Sequence, residues 1–108
     1  MSKSPGIIRS RLKKARSLID AGRVAEAIKL LTRLCRSFPA NADAWFMLGA
    51  LFGNLKQYPQ ALDCLSRAVE LRPQHALSYF NLGTTLRSMG RLDKAAAAFA
   101  DALRIEPG

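Results

Sequence analysis

The amino-acid sequence predicts an all-α protein built from three helical hairpins. Three observations predict it: β-branched residues never fall into an alternating run, helix-forming residues fill almost every window, and the chain repeats itself every 34 residues. Ala, Leu, Arg and Lys dominate, and a 49% hydrophobic chain of 108 residues suffices for one domain with a core.

The repeat is plainest between the segments 42–73 and 76–107. Trp45 lies over Tyr79, Leu48-Gly49 over Leu82-Gly83, Ala61 over Ala95, Leu65 over Phe99, Ala68 over Ala102 and Pro73 over Pro107. One step further back, Ala15 lies under Gly49, Leu18 under Phe52, Ala27 under Ala61, Leu31 under Leu65, Leu34 under Ala68 and Pro39 under Pro73. This first copy is degenerate, with Arg11 and Lys14 standing where Trp45 and Leu48 stand in the second.

Each element follows from this pattern. In the first helix of each copy, Trp45, Leu48, Gly49 and Phe52, or Tyr79, Leu82, Gly83 and Leu86, recur at three- and four-residue steps and form one apolar stripe. Glycine inside a helix costs about 1 kcal/mol relative to alanine, so its place in that stripe predicts close approach of a neighbouring helix. Second helices are expected near Val24 to Ser37, Pro59 to Leu71 and Leu92 to Ile105, with Ala27, Leu31 and Leu34, or their equivalents, on one face. Gly22 and Gly90 read as C-terminal caps of first helices, Pro59 suits a first helical turn, and Pro39, Pro73 and Pro107 close second helices.

The aromatic, Leu-Gly, aromatic, Ala, aromatic, Ala and Pro at these spacings resemble the tetratricopeptide (TPR) signature. The resemblance covers about Ile8 to Gly108. It implies a right-handed α-solenoid of three TPR helix-turn-helix repeats, six helices in all, with repeats at about 8–41, 42–75 and 76–108 after a flexible N-terminus at 1–7. First helices would line a concave groove that holds a peptide or helix of a partner protein, a scaffold or adaptor role. By the family's geometry the groove-facing residues are Arg9, Lys13, Arg16 and Asp20, then Met47, Ala50 and Asn54, then Asn81, Thr84, Arg87 and Ser88, with Phe46 and Phe80 at the edge.

Within the family, a basic and Asn clamp grips the C-terminal carboxylate of heat-shock chaperones. Three of its places are filled here by Leu12, Met47 and Leu77, which cannot donate to a carboxylate. Asn81 matches the ladder asparagine of TPR arrays attached to O-linked N-acetylglucosamine transferases, where the amide pairs with a peptide backbone; a solvated amide is the plainer reading.

Charge is unevenly placed within the formal total of +9. Residues 1–40 hold ten Lys and Arg against Asp20 and Glu26, whereas the remaining chain holds seven against six. This basic end reads as a solvated face that attracts acidic segments of a partner. Nucleic acid is the weaker reading, because no aromatics interleave with the basic residues to stack on bases, and an anionic membrane surface is weaker too, because the run lacks large apolar groups on one side.

Cys35 and Cys64 lack any CxxC or Cys/His ligand spacing and read as half-buried thiols in a reducing compartment; no metal or other cofactor is expected. His75, in the RPQH connection, reads as an exposed turn residue. No nucleophile elbow, phosphate loop, paired-carboxylate site or metal constellation is present, which argues against catalysis by these residues. No stretch approaches the roughly 20 apolar residues of a membrane span, and MSKSPGIIRS lacks a signal's apolar middle, so a cytoplasmic location is expected.

The last helix, LDKAAAAFADALRI, would leave its Ala-rich and Leu103 surface uncovered, which predicts either self-association through that face or a longer protein. In the second case the alternative function is a substrate-recruiting fragment of a larger enzyme, such as a TPR-linked sulfotransferase, glycosyltransferase or methyltransferase.

Overall fold

The computed structural model describes the backbone of residues 3–108 and the side chains of residues 5–108. Among the described residues there are six helices and no strand: α1 Lys3–Asp20, α2 Val24–Ser37, α3 Ala42–Asn54, α4 Tyr58–Leu71, α5 Ala76–Ser88 and α6 Leu92–Ile105. Each helix packs on the next, and α3 also meets α5, so three hairpins stack into a solenoid of 41 × 28 × 24 Å. The first helix begins at Lys3, five residues ahead of the repeat border expected at Ile8. Pro5 does not prevent this, because a first-turn N–H has no helical acceptor to lose. Residues 1 and 2 of the expected flexible terminus lie outside the described residues.

All three hairpins turn through the same device. The amides of Gly22 and Arg23 bond back to Ile19 and Leu18, those of Lys56 and Gln57 to Gly53 and Phe52, and those of Gly90 and Arg91 to Arg87 and Leu86. The residue at the bend is left-handed each time, with φ of 78° at Gly22, 61° at Lys56 and 79° at Gly90. The middle turn therefore carries a side chain where its two equivalents carry none.

Connections between repeats are also copies of one another. The Phe38 amide bonds to Leu34 and that of Asn41 to Phe38; one repeat on, Arg72 bonds to Ala68 and His75 to Arg72. Asn41 caps α3 by accepting from the Ala44 amide at 2.9 Å, and the Trp45 indole donates to the Pro39 carbonyl at 2.9 Å. Arg72 and Asp43 form an ion pair at 2.6 Å; with both side chains half exposed it contributes about 0–1 kcal/mol.

The core is continuous from repeat one into repeat two. Ala15, Ala27, Leu31, Leu34, Cys35, Ala44, Met47, Leu48, Leu51 and Cys64 form one buried cluster, and a smaller one gathers Leu86, Ala95 and Ala98 in repeat three. Arg11 and Lys14 are exposed at the places where α3 has Trp45 and Leu48, and α1 lies less closely along α2 than the first helices of the other hairpins lie along their partners. Burial pushes the Cys35 thiol up to about 12 and the Cys64 thiol up to about 11, so both stay protonated at neutral pH.

The glycines in the apolar stripes mark a close approach within the second and third hairpins. A Cβ on Gly49 would stand 2.7 Å from Leu65 Cγ, and one on Gly83 would stand 2.8 Å from the Phe99 ring, whereas one on Gly53 would meet nothing nearer than 3.9 Å. Leu65 is fully buried and has nowhere to go; Phe99 is half-buried and can swing aside. Gly49→Ala is therefore expected to destabilise by about 1–3 kcal/mol, Gly83→Ala to be near neutral, and Gly53→Ala to stabilise by up to about 1 kcal/mol, as urea unfolding of the three variants will read.

Lys56→Gly relieves a left-handed residue whose Cβ costs about 1–2 kcal/mol. Offset by the extra freedom of glycine in the unfolded chain, the net gain is about 0.5–1 kcal/mol, expected as a rise in the thermal midpoint with an unchanged helical spectrum.

Candidate functional site

Because one repeat follows another at a fixed step, residues 34 apart take up equivalent places on the three first helices. Lys13, Met47 and Asn81 form one such row, Arg16, Ala50 and Thr84 a second, and Asp20, Asn54 and Ser88 a third. The backbone places are repeated; the chemistry on them is not.

Two clefts divide most of these residues. The first, of about 500 Å³, lies between α1, α3 and the start of α5, and is lined by Leu12, Lys13, Arg16, Phe46, Met47 and Leu77, with Asp43 and His75 beside them. The second, of about 410 Å³, gathers Ala50, Asn54, Asn81, Thr84 and Ser88 over a floor that includes Gly49, Gly53 and Leu65. Seven of the eleven residues named from the sequence as groove-facing thus fall into these two clefts as exposed or half-exposed side chains.

The other four differ, Asp20 being exposed near the end of α1 and lining neither cleft. Met47 belongs to the first cleft but is only 9% exposed, because α3 is covered on one flank by α2 and on another by α4; it is a floor residue of the core. Arg9 sits further along α1 in a shallow recess with Pro5, Ile8, Leu12, Asn41 and Asp43. Arg87 leaves the groove, its guanidinium resting 5.7 Å from the centroid of Phe99 on the open end of the solenoid. No further described helix covers Phe99, so the cation takes its face.

That open end is a third cleft, of about 790 Å³, where α5 and α6 expose Leu77, Phe80, Phe99 and Leu103. Phe80, expected at the groove edge, tilts against Phe99 at 5.7 Å between centroids. Phe80 and Leu103 are 52% and 61% exposed, whereas their equivalents Phe46 and Val69, one repeat earlier, are half-buried.

Sequence reasoning missed His75. It is the N-cap residue of α5, its ring stands edge-on to Phe46 at 5.0 Å, and Nδ1 pairs with the Ser78 hydroxyl at 2.5 Å. The 34-residue register could have found it, because His75 is the equivalent of the capping Asn41. Burial, and after it the Arg72 charge, hold its pKa below the ordinary value, while Asp43 and Glu106 pull the other way.

In the second cleft, the Thr84 hydroxyl donates to Phe80 O at 3.0 Å and the Thr85 hydroxyl to Asn81 O at 2.9 Å, which leaves the Thr84 oxygen able to accept. Asn54, Asn81 and Ser88 add amide and hydroxyl groups. Such a set can bond an extended main chain. Lys13 and Arg16 in the first cleft supply positive charge, and Asp43, the acid beside them, is held by Arg72. No group of three or more His, Cys, Asp and Glu among the described residues could hold a metal ion.

Stacked helical hairpins with a repeated concave face define an α-solenoid repeat protein. A tetratricopeptide repeat model matches residues 41–106 and a second one residues 12–52, so the chain belongs to the tetratricopeptide repeat family. It is 33% identical over 90 residues to the cell division cycle protein 27 homolog of Caenorhabditis elegans, covering 83% of this chain and 11% of that protein. Among solved structures it is similar to MamA, with a TM-score of 0.88 at 29% identity over 98% of this chain and 62% of that one. An O-GlcNAc transferase of Thermobaculum terrenum aligns with a TM-score of 0.91 at 28% identity, over 99% of this chain and 21% of that one. The chain spans about a tenth of the length of such curated relatives, 11% of the cell division cycle protein 27 homolog and 9% to 11% of two others. No described helix is long and apolar enough to cross a membrane.

The depressed His75 pKa has a definite consequence for stability. The native state favours the neutral ring, so the stability tied to it is fully present above the unfolded value of about 6.5 and is lost as pH falls through the lower folded value. Thermal midpoints are expected to drop between pH 7.5 and 5.5, and His75→Gln is expected to flatten that slope; an identical slope in the variant would remove His75 as the cause.

Proposed function

We infer that the chain is a protein-interaction module whose concave face holds an extended segment of a partner protein, and that it does no chemistry of its own. One observation carries this reading: five groove-facing side chains from two repeats, Ala50, Asn54, Asn81, Thr84 and Ser88, converge on one cleft rich in amide and hydroxyl groups. The family supports it, since the similar Hsp70-Hsp90 organizing protein of Triticum aestivum is named for the chaperones it assembles. The partner is a protein or peptide, and the basic N-terminal end favours acidic segments. Two unpaired buried thiols fit a reducing compartment such as the cytoplasm.

A second reading is favoured by the likeness to a stretch of an O-GlcNAc transferase: the module recruits substrate protein for a catalytic domain in a longer chain. The open end with Phe80, Phe99 and Leu103 is then the natural junction, or, in a free-standing protein, a surface for self-association.

A photo-crosslinking amino acid at Thr84 tests the concave face against one at Asp63, on the exposed side of α4. In cells that make the protein, the Thr84 site is expected to capture a partner segment that Asp63 does not. Equal capture at both sites would count against groove binding.

A further inference from the structure

Resting on the concave face as the binding surface, we propose that the cleft between α1, α3 and α5 selects a linear peptide in which a large aliphatic or aromatic side chain is flanked by an Asp or Glu. The walls and floor of that cleft are Leu12, Phe46, Met47 and Leu77, and its rim on the α1 side is Lys13 and Arg16. Neither half alone accounts for the site. A carboxylate sunk onto Leu12, Met47 and Leu77 would shed its water and gain no donor in return, which is costly. A purely apolar occupant would leave the rim charges unused.

Lys13 and Arg16 stand one helical turn apart on α1, both exposed, and neither is in an ion pair among the described residues. Asp43 could compete for them, but it is engaged by Arg72 at 2.6 Å, so the rim's positive charge faces outward. Leu77 is 52% exposed, a large apolar side chain at the head of α5 that the described residues leave half uncovered. A volume of about 500 Å³ lies in the usual range for recognition pockets.

Direction follows from the layout. The acidic residue lies toward α1, the apolar anchor drops between Phe46 and Leu77, and the main chain runs on toward the Asn54, Asn81, Thr84 and Ser88 cleft. Specificity therefore resides in the first cleft, and the second grips backbone without reading side chains.

The test is selection of a random dodecapeptide phage library on the folded 108-residue chain, followed by fluorescence anisotropy of the enriched peptides in synthetic form. Enriched peptides are expected to carry Asp or Glu within two residues of Leu, Ile, Met, Phe or Trp. Their affinity is expected to fall about tenfold or more in the Lys13→Ala/Arg16→Ala double variant and severalfold in Leu77→Ser. All three positions are exposed, and an unchanged helical spectrum confirms that the variants are folded. Peptides that lack the acidic-apolar pair, or ignore the double variant while weakening in Asn81→Ala, would overturn this inference and leave concave binding standing. No enrichment, or peptides indifferent to every concave substitution, would overturn both.

Discussion

The distance between Leu65 and the backbone of α3 at Gly49 fixes more of this molecule than any other contact. With no Cβ at Gly49, the Leu65 side chain can lie directly on the first helix, and the hairpin closes to a spacing that a Cβ, 2.7 Å from Leu65 Cγ, would forbid. A hairpin that tight brings Cys64 into the buried cluster that holds Leu48, and it leaves a flank on which α5 packs. Ser78 and Thr85, fully or nearly buried on that flank, are small enough for the next repeat to follow at the same step. The approach recurs at Gly83 and Phe99, but there the outer flank is bare and the aromatic ring is only half covered. One steric constraint thus closes the second and third hairpins, whereas the first has Ala15 at this place and packs less closely.

Stacking also makes the three repeats energetically unequal, as expected for a quasi-one-dimensional array. The middle first helix is enclosed on two flanks, so a residue there can face the groove and still belong to the core, as Met47 does. The outer first helix has one free flank, where Gly6, Ile7, Ser10 and Arg11 meet solvent. That flank mixes the exposed Ile7 with Ser10 and Arg11 and carries no aromatic among these residues, in contrast with the aromatic and aliphatic surface at the other end. The two ends of the solenoid are accordingly different kinds of surface, a mixed one with a basic side chain and a mainly aromatic and aliphatic one.

Much of this was legible in the sequence, because the signals that define a repeat are local and periodic. Gly22 and Gly90 marked turns, the 34-residue register aligned second helices almost to the residue, and the apolar stripes named both close glycines. What could not be read belongs to contacts between repeats. Lys56 was silent because a left-handed lysine leaves no compositional trace; only its register with two glycines reveals it. The family's geometry expects Arg87 in the groove, but its guanidinium rests over the bare face of Phe99. His75 reads as a loop residue because its partners, Phe46 and Ser78, lie one in α3, two helices back, and one a turn ahead.

The rows on the concave face show how such a scaffold acquires specificity without altering its fold. At one equivalent place the three helices carry Lys13, Met47 and Asn81, a charge, an apolar thioether and an amide; at the next they carry Arg16, Ala50 and Thr84. Stacking is carried by glycines, alanines and leucines on other faces, so these positions vary at little cost to stability, Met47 excepted. A bound segment lying across the rows meets positive charge first, an apolar floor second and main-chain-binding groups third. The order of these chemistries is set by the order of repeats in the chain. On the proposed reading a partner segment matches it in one direction only, and a reversed peptide of the same composition would place its acid over Asn81 and Thr84, where no positive charge lines the cleft beyond Lys56 at its margin.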